Sequence, residues 1–222
     1  MIDPSSPGSR RRFYLSRALR KRPIGGGSDL EYLMELPRTT LPVDVATLLH
    51  GESWCAIGAV ATRAYMPERS TKDIDILVVA ERRPHLRKAL VESGWKEGAE
   101  LHFPGSSLGL SGSTFMKDQT EIDIISSEQP WAIEALRTPQ FDQTGLCVIP
   151  LPYLILMKLD AARAIDQGDL SRMLGRVTEK DLEPIIAVAK KYLREPEIES
   201  DIRQYAELGR LERIQTRAEE RK

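Results

Sequence analysis

Two carboxylates one residue apart in an apolar run constrain this chain more than any other feature. Asp73-Ile74-Asp75 leads into Ile76-Leu77-Val78-Val79, and in a β-strand residues i and i+2 point to the same face. Asp is poorly suited to strands, and like charges on one face at roughly 7 Å or less repel. Folding alone seldom selects such a pair. A divalent cation held by both carboxylates relieves the repulsion, because hard oxygen ligands suit Mg²⁺. An edge strand with a solvated Asp face relieves it equally, and spacing alone leaves both readings open.

The residues ahead of the pair bear on that choice. Trp54-Cys55-Ala56-Ile57 is a short apolar run, followed by Gly58-Ala59 and a helix-like stretch, Val60–Tyr65. A glycine between a strand and a helix start lets backbone N–H groups approach a phosphate; it also marks any tight turn. Arg69, Ser70 and Thr71 then place a cation and two hydroxyls just before the carboxylates. The segment Trp54–Val79 therefore reads as strand, glycine turn, short helix, loop and strand, with a phosphate cradle beside a metal site.

Gly58-Ala59, thirteen residues, then Asp73-Ile74-Asp75 followed by apolar residues resembles the DNA polymerase β-type nucleotidyltransferase superfamily. The longer form, Gly58 through Arg69-x-Thr71-x-Asp73-x-Asp75, is most similar to its prokaryotic abortive-infection and toxin–antitoxin branch. Ala59 stands where that family has a second Gly or a Ser. It keeps the small size and the backbone N–H but supplies no hydroxyl. The resemblance implies that Asp73 and Asp75 hold Mg²⁺ or Mn²⁺ and that Gly58, Ala59, Arg69, Ser70 and Thr71 position an NTP. It also implies a third carboxylate on a neighbouring strand. Asp123, in the stretch Thr120–Ser126, is the matching position, as general base and further metal ligand, with Glu121 on the same strand face.

A second match lies downstream. Leu151–Ala164 is apolar nearly all round, which predicts a buried helix opened by Pro152. A buried ammonium is costly unless paired, so Lys158 either snorkels to the surface or pairs with a carboxylate or phosphate. Lys158-Leu159-x-Ala161, then Asp169-Leu170, is similar to a Lys-Leu-x-Ala…Lys-Asp-x-x-Asp pattern of the same branch. Gly168 replaces the Lys before Asp169, and Arg172 replaces the later Asp. Lys158 and Asp169 carry over as catalytic positions; the later acid does not.

Other periodic stretches predict a helix over 29–36, another over 41–50, and one over Arg82–Ser93 between Pro84 and Gly94. Strands are expected over Gly98–Phe103 and Ser113–Lys117, across a Gly/Ser-rich turn that either covers the nucleotide or is an ordinary loop. A helix at Trp131–Leu136, a strand at Leu146–Ile149 and two helices at Thr178–Leu193 and Pro196–Ala218 complete the chain. The last carries a stripe of Ile198, Ile202, Tyr205, Leu208 and Leu211. The fold expected is α/β (α+β): a polymerase β-like mixed sheet with flanking helices and a C-terminal helical region. The domains expected are a basic, flexible arm at 1–28, a nucleotidyltransferase core at 29–150, and a helical region at 151–222 completing the active site.

Composition narrows the setting. With 222 residues, 41% hydrophobic and 29% charged, the chain reads as a globular domain plus an appended region. No apolar run approaches the ~20 residues of a membrane span, and no signal peptide is recognisable. Cys55 and Cys147 in apolar surroundings suggest buried thiols in a reducing cytoplasm. Two Cys and three His do not make a zinc site. Net charge is −1, so nucleic-acid affinity must come from a local patch. Arg10–Arg22 supplies one: seven basic residues and no acid, interleaved with Phe13 and Tyr14. It reads as an RNA-tracking arm, a solvated tail or a transit peptide.

The function expected is metal-dependent transfer of an NMP from an NTP to an acceptor hydroxyl. By resemblance the acceptor is a tRNA 3′ end or a protein, with a cognate antitoxin as a further partner. The alternatives are an aminoglycoside or lincosamide nucleotidyltransferase and a catalytically inactive nucleotide-binding regulatory module.

Overall fold

Runs rich in Ile and Val, Asp73–Val79 and Thr120–Ser127, build the middle of the sheet, because branched side chains favour extended backbone. The computed structural model describes residues 41–67, 73–118 and 120–219, together with Gly8 and Arg11. The chain divides into two compact units, one of residues 36–104 and 108–150, the other of residues 1–35, 105–107 and 151–222.

The first unit is a mixed α/β layer. In chain order it holds α1 (Val43–Leu48), β1 (Trp54–Ala56), α2 (Gly58–Thr62), β2 (Asp73–Val79), α3 (Arg83–Glu92), β3 (Lys96–Leu101), β4 (Leu110–Lys117), β5 (Thr120–Ser127), α4 (Pro130–Arg137), β6 (Gln140–Phe141) and β7 (Cys147–Val148). Seven strands form one sheet in the order β3-β4-β5-β2-β1-β7-β6. β2 is central, parallel to β5 and antiparallel to β1. A second parallel pair joins β1 to β7. Ile74, Ile76, Ile122 and Ile124 on one face are at most 2% exposed, each contributing about 1.5–3 kcal/mol of burial.

Polar side chains fix the surrounding helices. Trp131 in α4 is fully buried, and its indole N–H donates to the Leu108 carbonyl at 2.9 Å. Asp44 in α1 accepts from the Trp95 indole at 3.0 Å and the Lys117 ammonium at 2.7 Å. The Lys117 hydrogen bond is the main cause that lowers the Asp44 pKa.

The second unit is helical: α5 (Leu151–Ala161), α6 (Ala164–Leu174), α7 (Glu179–Leu193) and α8 (Ile198–Glu219). Leu154, Ile155, Leu159, Leu170, Leu182, Ile186, Ile202 and Tyr205 are buried in it. At the α7 start Thr178 caps as its position predicts, accepting from the Asp181 N–H at 3.3 Å. The α6–α8 crossing is close: a Cβ on Gly209 would sit 1.8 Å from the Ser171 carbonyl oxygen, and one on Gly175 2.4 Å from the Gly209 carbonyl carbon.

Three expectations need correction. The helix predicted over Leu151–Ala164 ends at Ala161, because Ala162 takes a left-handed backbone (φ 47°). A separate α6 follows, and its Asp166 carboxylate accepts from the Arg163 backbone N–H at 3.3 Å. The stripe on α8 stops at Leu208, since Leu211 is 43% exposed. β6 has no counterpart among the predicted strands. The helix expected at 29–36 and the arm at 1–28 lie outside the described residues except for Gly8 and Arg11. Arg11 is fully buried, not part of a solvated face.

Candidate active site

The register of β2 and β5 assembles the acidic face. Asp75 stands opposite Asp123 and Asp73 opposite Glu121. Alternation puts all four side chains on one face of the sheet. Leu77 and Ile125, two residues further along that face, are buried, whereas Asp73, Asp75 and Asp123 are half-buried. The acids therefore occupy the open end of a β2–β5 face whose other end is buried. The structure thus brings together two acidic strand segments some fifty residues apart in the chain.

Gly58 closes the site from β1. Its φ of +62° lies in the left-handed region that favours glycine, and a Cβ there would sit 1.8 Å from Asp75 Oδ2. The neighbouring Ile57 N–H donates to the Asp75 carbonyl at 2.9 Å. Both the conformation and the space at this position thus require glycine. Ala59 follows in α2, nearly buried, with its carbonyl accepting from the Thr62 hydroxyl at 2.6 Å. With only five residues, α2 adds little dipole of its own. Arg69, Ser70 and Thr71 lie outside the described residues.

Asp123 is held by a neighbour that sequence reading passed over. Thr114, opposite it on β4, donates its hydroxyl hydrogen to Asp123 Oδ1 at 2.6 Å. Burial raises the Asp123 pKa, the Thr114 hydrogen bond opposes that, and the negative charge of Asp73 adds to the rise. Such a carboxylate holds a proton more readily than a free one, as general-base work near neutrality favours. The pairing of a β4 hydroxyl with a β5 acid is a tertiary fact with no local signal.

A divalent cation suits this donor set chemically, since carboxylate oxygens are hard ligands. Four carboxylates, those of Asp73, Asp75, Glu121 and Asp123, share one face, and the glycine keeps side-chain bulk away from Asp75. Among the described residues no three Asp, Glu, His or Cys side chains form a converged metal-holding group as they stand. The fit therefore rests on face, register and donor type.

Lys158 and Asp169 are brought together in the helical unit. The Lys158 ammonium is 2.7 Å from Asp169 and 3.0 Å from Asp166, and all three residues are at most 3% exposed. Lys158 does not snorkel. Asp166, absent from the sequence reading, also accepts from the Arg163 guanidinium at 2.7 Å. Burial would raise its pKa, but the bonds from Arg163 and the charges of Lys158 and Arg163 outweigh that and lower it. Asp160, 2% exposed, accepts from Ser107 N–H and both the Ser106 and Ser107 hydroxyls at 2.5–2.8 Å. The Gly/Ser-rich turn is thus anchored at these residues.

Among the described residues no helix is long and apolar enough to cross a membrane. A scan against protein-family models finds no match, and a search of curated proteins finds none either. Among solved structures, a candidate nucleotidyltransferase from H. pylori is similar at 14% identity and a TM-score of 0.40, over 85% of this chain and 95% of that one. The antibiotic-resistance factor ANT(2'')-Ia in solution is similar at 14% identity and 0.40, over 80% and 94%. Its complex with adenylyl-2''-tobramycin gives 16% and 0.39, over 73% and 92%. At these values the likenesses do not bear on what the chain does; the mixed α/β architecture stands on the sheet itself.

Proposed function

We propose that the chain is a metal-dependent nucleotidyltransferase, moving an NMP from an NTP to an acceptor hydroxyl. The observation that carries this reading is the register that sets Asp75 opposite Asp123 on one face, with Asp73 beside them and Gly58 against Asp75. Asp73 and Asp75 would hold Mg²⁺ or Mn²⁺, with Asp123 as a third ligand. When bound, the cation neutralises triphosphate charge and polarises its oxygens.

This chain's residues do the rest. Asp123, kept in place by Thr114, takes the proton from the acceptor hydroxyl. The hydroxyl oxygen forms its bond to the α-phosphorus, the bond to the β-phosphate oxygen breaks, and pyrophosphate leaves. The Gly58 turn brings backbone close to the phosphates, and Arg69, Ser70 and Thr71 supply charge and hydrogen bonds to them. Such chemistry is positioning plus electrostatics. Lys158 and Asp169 act as a pair whose charges offset each other within the helical unit. The acceptor favoured is an RNA or protein hydroxyl, in a cytoplasmic toxin–antitoxin or phage-defence setting.

The test is incubation with each α-³²P-labelled NTP, Mg²⁺ and total cellular RNA and protein, beside the Asp73→Ala/Asp75→Ala variant. Label moving to RNA or protein only with the wild type supports the reading and identifies nucleotide and acceptor. Label moving only to an added aminoglycoside or lincosamide assigns the rival acceptor. Metal-dependent NTP binding without any transfer assigns the regulatory module instead.

A further inference from the structure

We propose that Cys55 and Cys147 form a redox-modification site, a dithiol that a hydroperoxide converts to an intrachain disulfide across β1 and β7. The two strands run parallel with Ala56 opposite Val148, a pairing fixed by the Ile149 N–H donating to the Ala56 carbonyl at 3.0 Å. The preceding residues on each strand are the chain's two cysteines, so they are lateral neighbours with side chains on the same face. Adjacent strands lie ~4.8 Å apart, inside the ~4.4–6.8 Å Cα window that a disulfide needs.

Independent contacts agree. The Cys147 thiol donates to the Trp54 carbonyl at 3.1 Å, which is the carbonyl of the peptide leading into Cys55. Both cysteines are unbridged, Cys55 buried and Cys147 half-buried. Burial raises both thiol pKa values, and the proximity of Cys147 adds to the rise at Cys55. A pair held protonated stays quiet towards weak oxidants and reacts only under strong peroxide exposure.

Exposure sets the order of events. A hydroperoxide reaches Cys147 first: its sulfur takes one oxygen, the peroxide O–O bond breaks, and water or an alcohol leaves. The Cys55 sulfur then attacks the sulfenic sulfur, the S–S bond forms, the S–O bond breaks, and water leaves with the Cys55 proton. β1 has three residues and β7 two, so closing the remaining gap disturbs little regular structure. The bridge would tie β7 to the strand that leads into Gly58.

The experiment uses the reduced full chain treated with excess hydrogen peroxide, alkylated under denaturing conditions and digested with trypsin without reductant. The expected result is joint loss of both titratable thiols. Peptides Thr39–Arg63 and Thr138–Lys158 should appear joined, two hydrogens lighter than their sum, and should part on adding dithiothreitol. In Cys55→Ser, Cys147 should stop at a sulfenic acid that dimedone traps. If that variant fails to fold, the wild-type map alone decides. Sulfinic Cys147 beside alkylated Cys55, chains crosslinked through Cys147, or two alkylated thiols after treatment would each overturn the proposal.

Discussion

At the scale of single residues, the candidate site combines like charge on one face with a close backbone approach at Gly58. Asp73, Asp75 and Asp123 set like charge on one face, so removing one should not weaken the fold as it weakens activity. Asp75→Asn is expected to lower label transfer by about 10²-fold or more while leaving the thermal midpoint unchanged or higher; equal loss of both in a melting and turnover comparison would make Asp75 structural. Gly58→Ala is the opposite case. Its Cβ would meet Asp75 Oδ2 from a left-handed backbone, so it should cost on the order of 1–3 kcal/mol in urea unfolding and also depress transfer. Asp75 was legible in the sequence through its neighbours. Thr114 was not, since nothing local distinguishes a hydroxyl that meets a carboxylate from one that meets water.

At the scale of elements, buried polarity explains which pieces were visible. The strand β2 and the helix α7 carry clean apolar periodicity and were legible within a few residues. The helix α6 was hidden because Asp166 and Asp169, both buried, interrupt its apolar pattern; their partner Lys158 lies on α5. The α6–α8 crossing gives a test with a reversed sign. In an exposed helix interior Gly→Ala gains ~1 kcal/mol. Gly209→Ala instead drives a Cβ into the Ser171 carbonyl, so a lowered midpoint by circular dichroism is expected. The β6–β7 turn is fixed by its own Asp142 together with one tertiary contact. Asp142 accepts from the Thr144 and Leu146 N–H groups at 2.8 and 3.0 Å and from the Arg63 guanidinium.

At the scale of the molecule, stability should depend on acid and on the N-terminal stretch. Asp166 has a lowered folded pKa, so its contribution is complete above the ordinary carboxylate value of 3.8. It is lost as the pH falls from there through the lowered value. Asp142 titrates in the same sense, burial opposing and its hydrogen bonds prevailing. Urea midpoints measured downward in pH should therefore rise slightly as Asp123 takes up its proton and then fall below the ordinary carboxylate range as Asp142 and Asp166 titrate. Arg163→Ala, which removes the largest lowering contribution, should reduce the Asp166 part of that profile. Arg11 faces Glu195 at 2.5 Å and the buried Asp201 at 3.5 Å, so Arg11→Ala should destabilise by about 3–5 kcal/mol. A change under 1 kcal/mol by urea unfolding would mean that this contact does not persist in solution.

The sequence by itself determined the elements whose chemistry is local. The apolar runs set β2 and β5, the interrupting acids marked one face of each, and Gly58 marked a turn. Only the tertiary structure decided which strands became neighbours. That choice put Asp123 opposite Asp75 and Thr114 behind it, set Cys55 beside Cys147, and gave Lys158 two buried acids in place of solvent. The physical reason is that periodicity records which face of an element avoids water, whereas partners across a sheet or helix pair are chosen by the collective packing of segments far apart in the chain. A lone polar residue carries no mark of the partner it will meet.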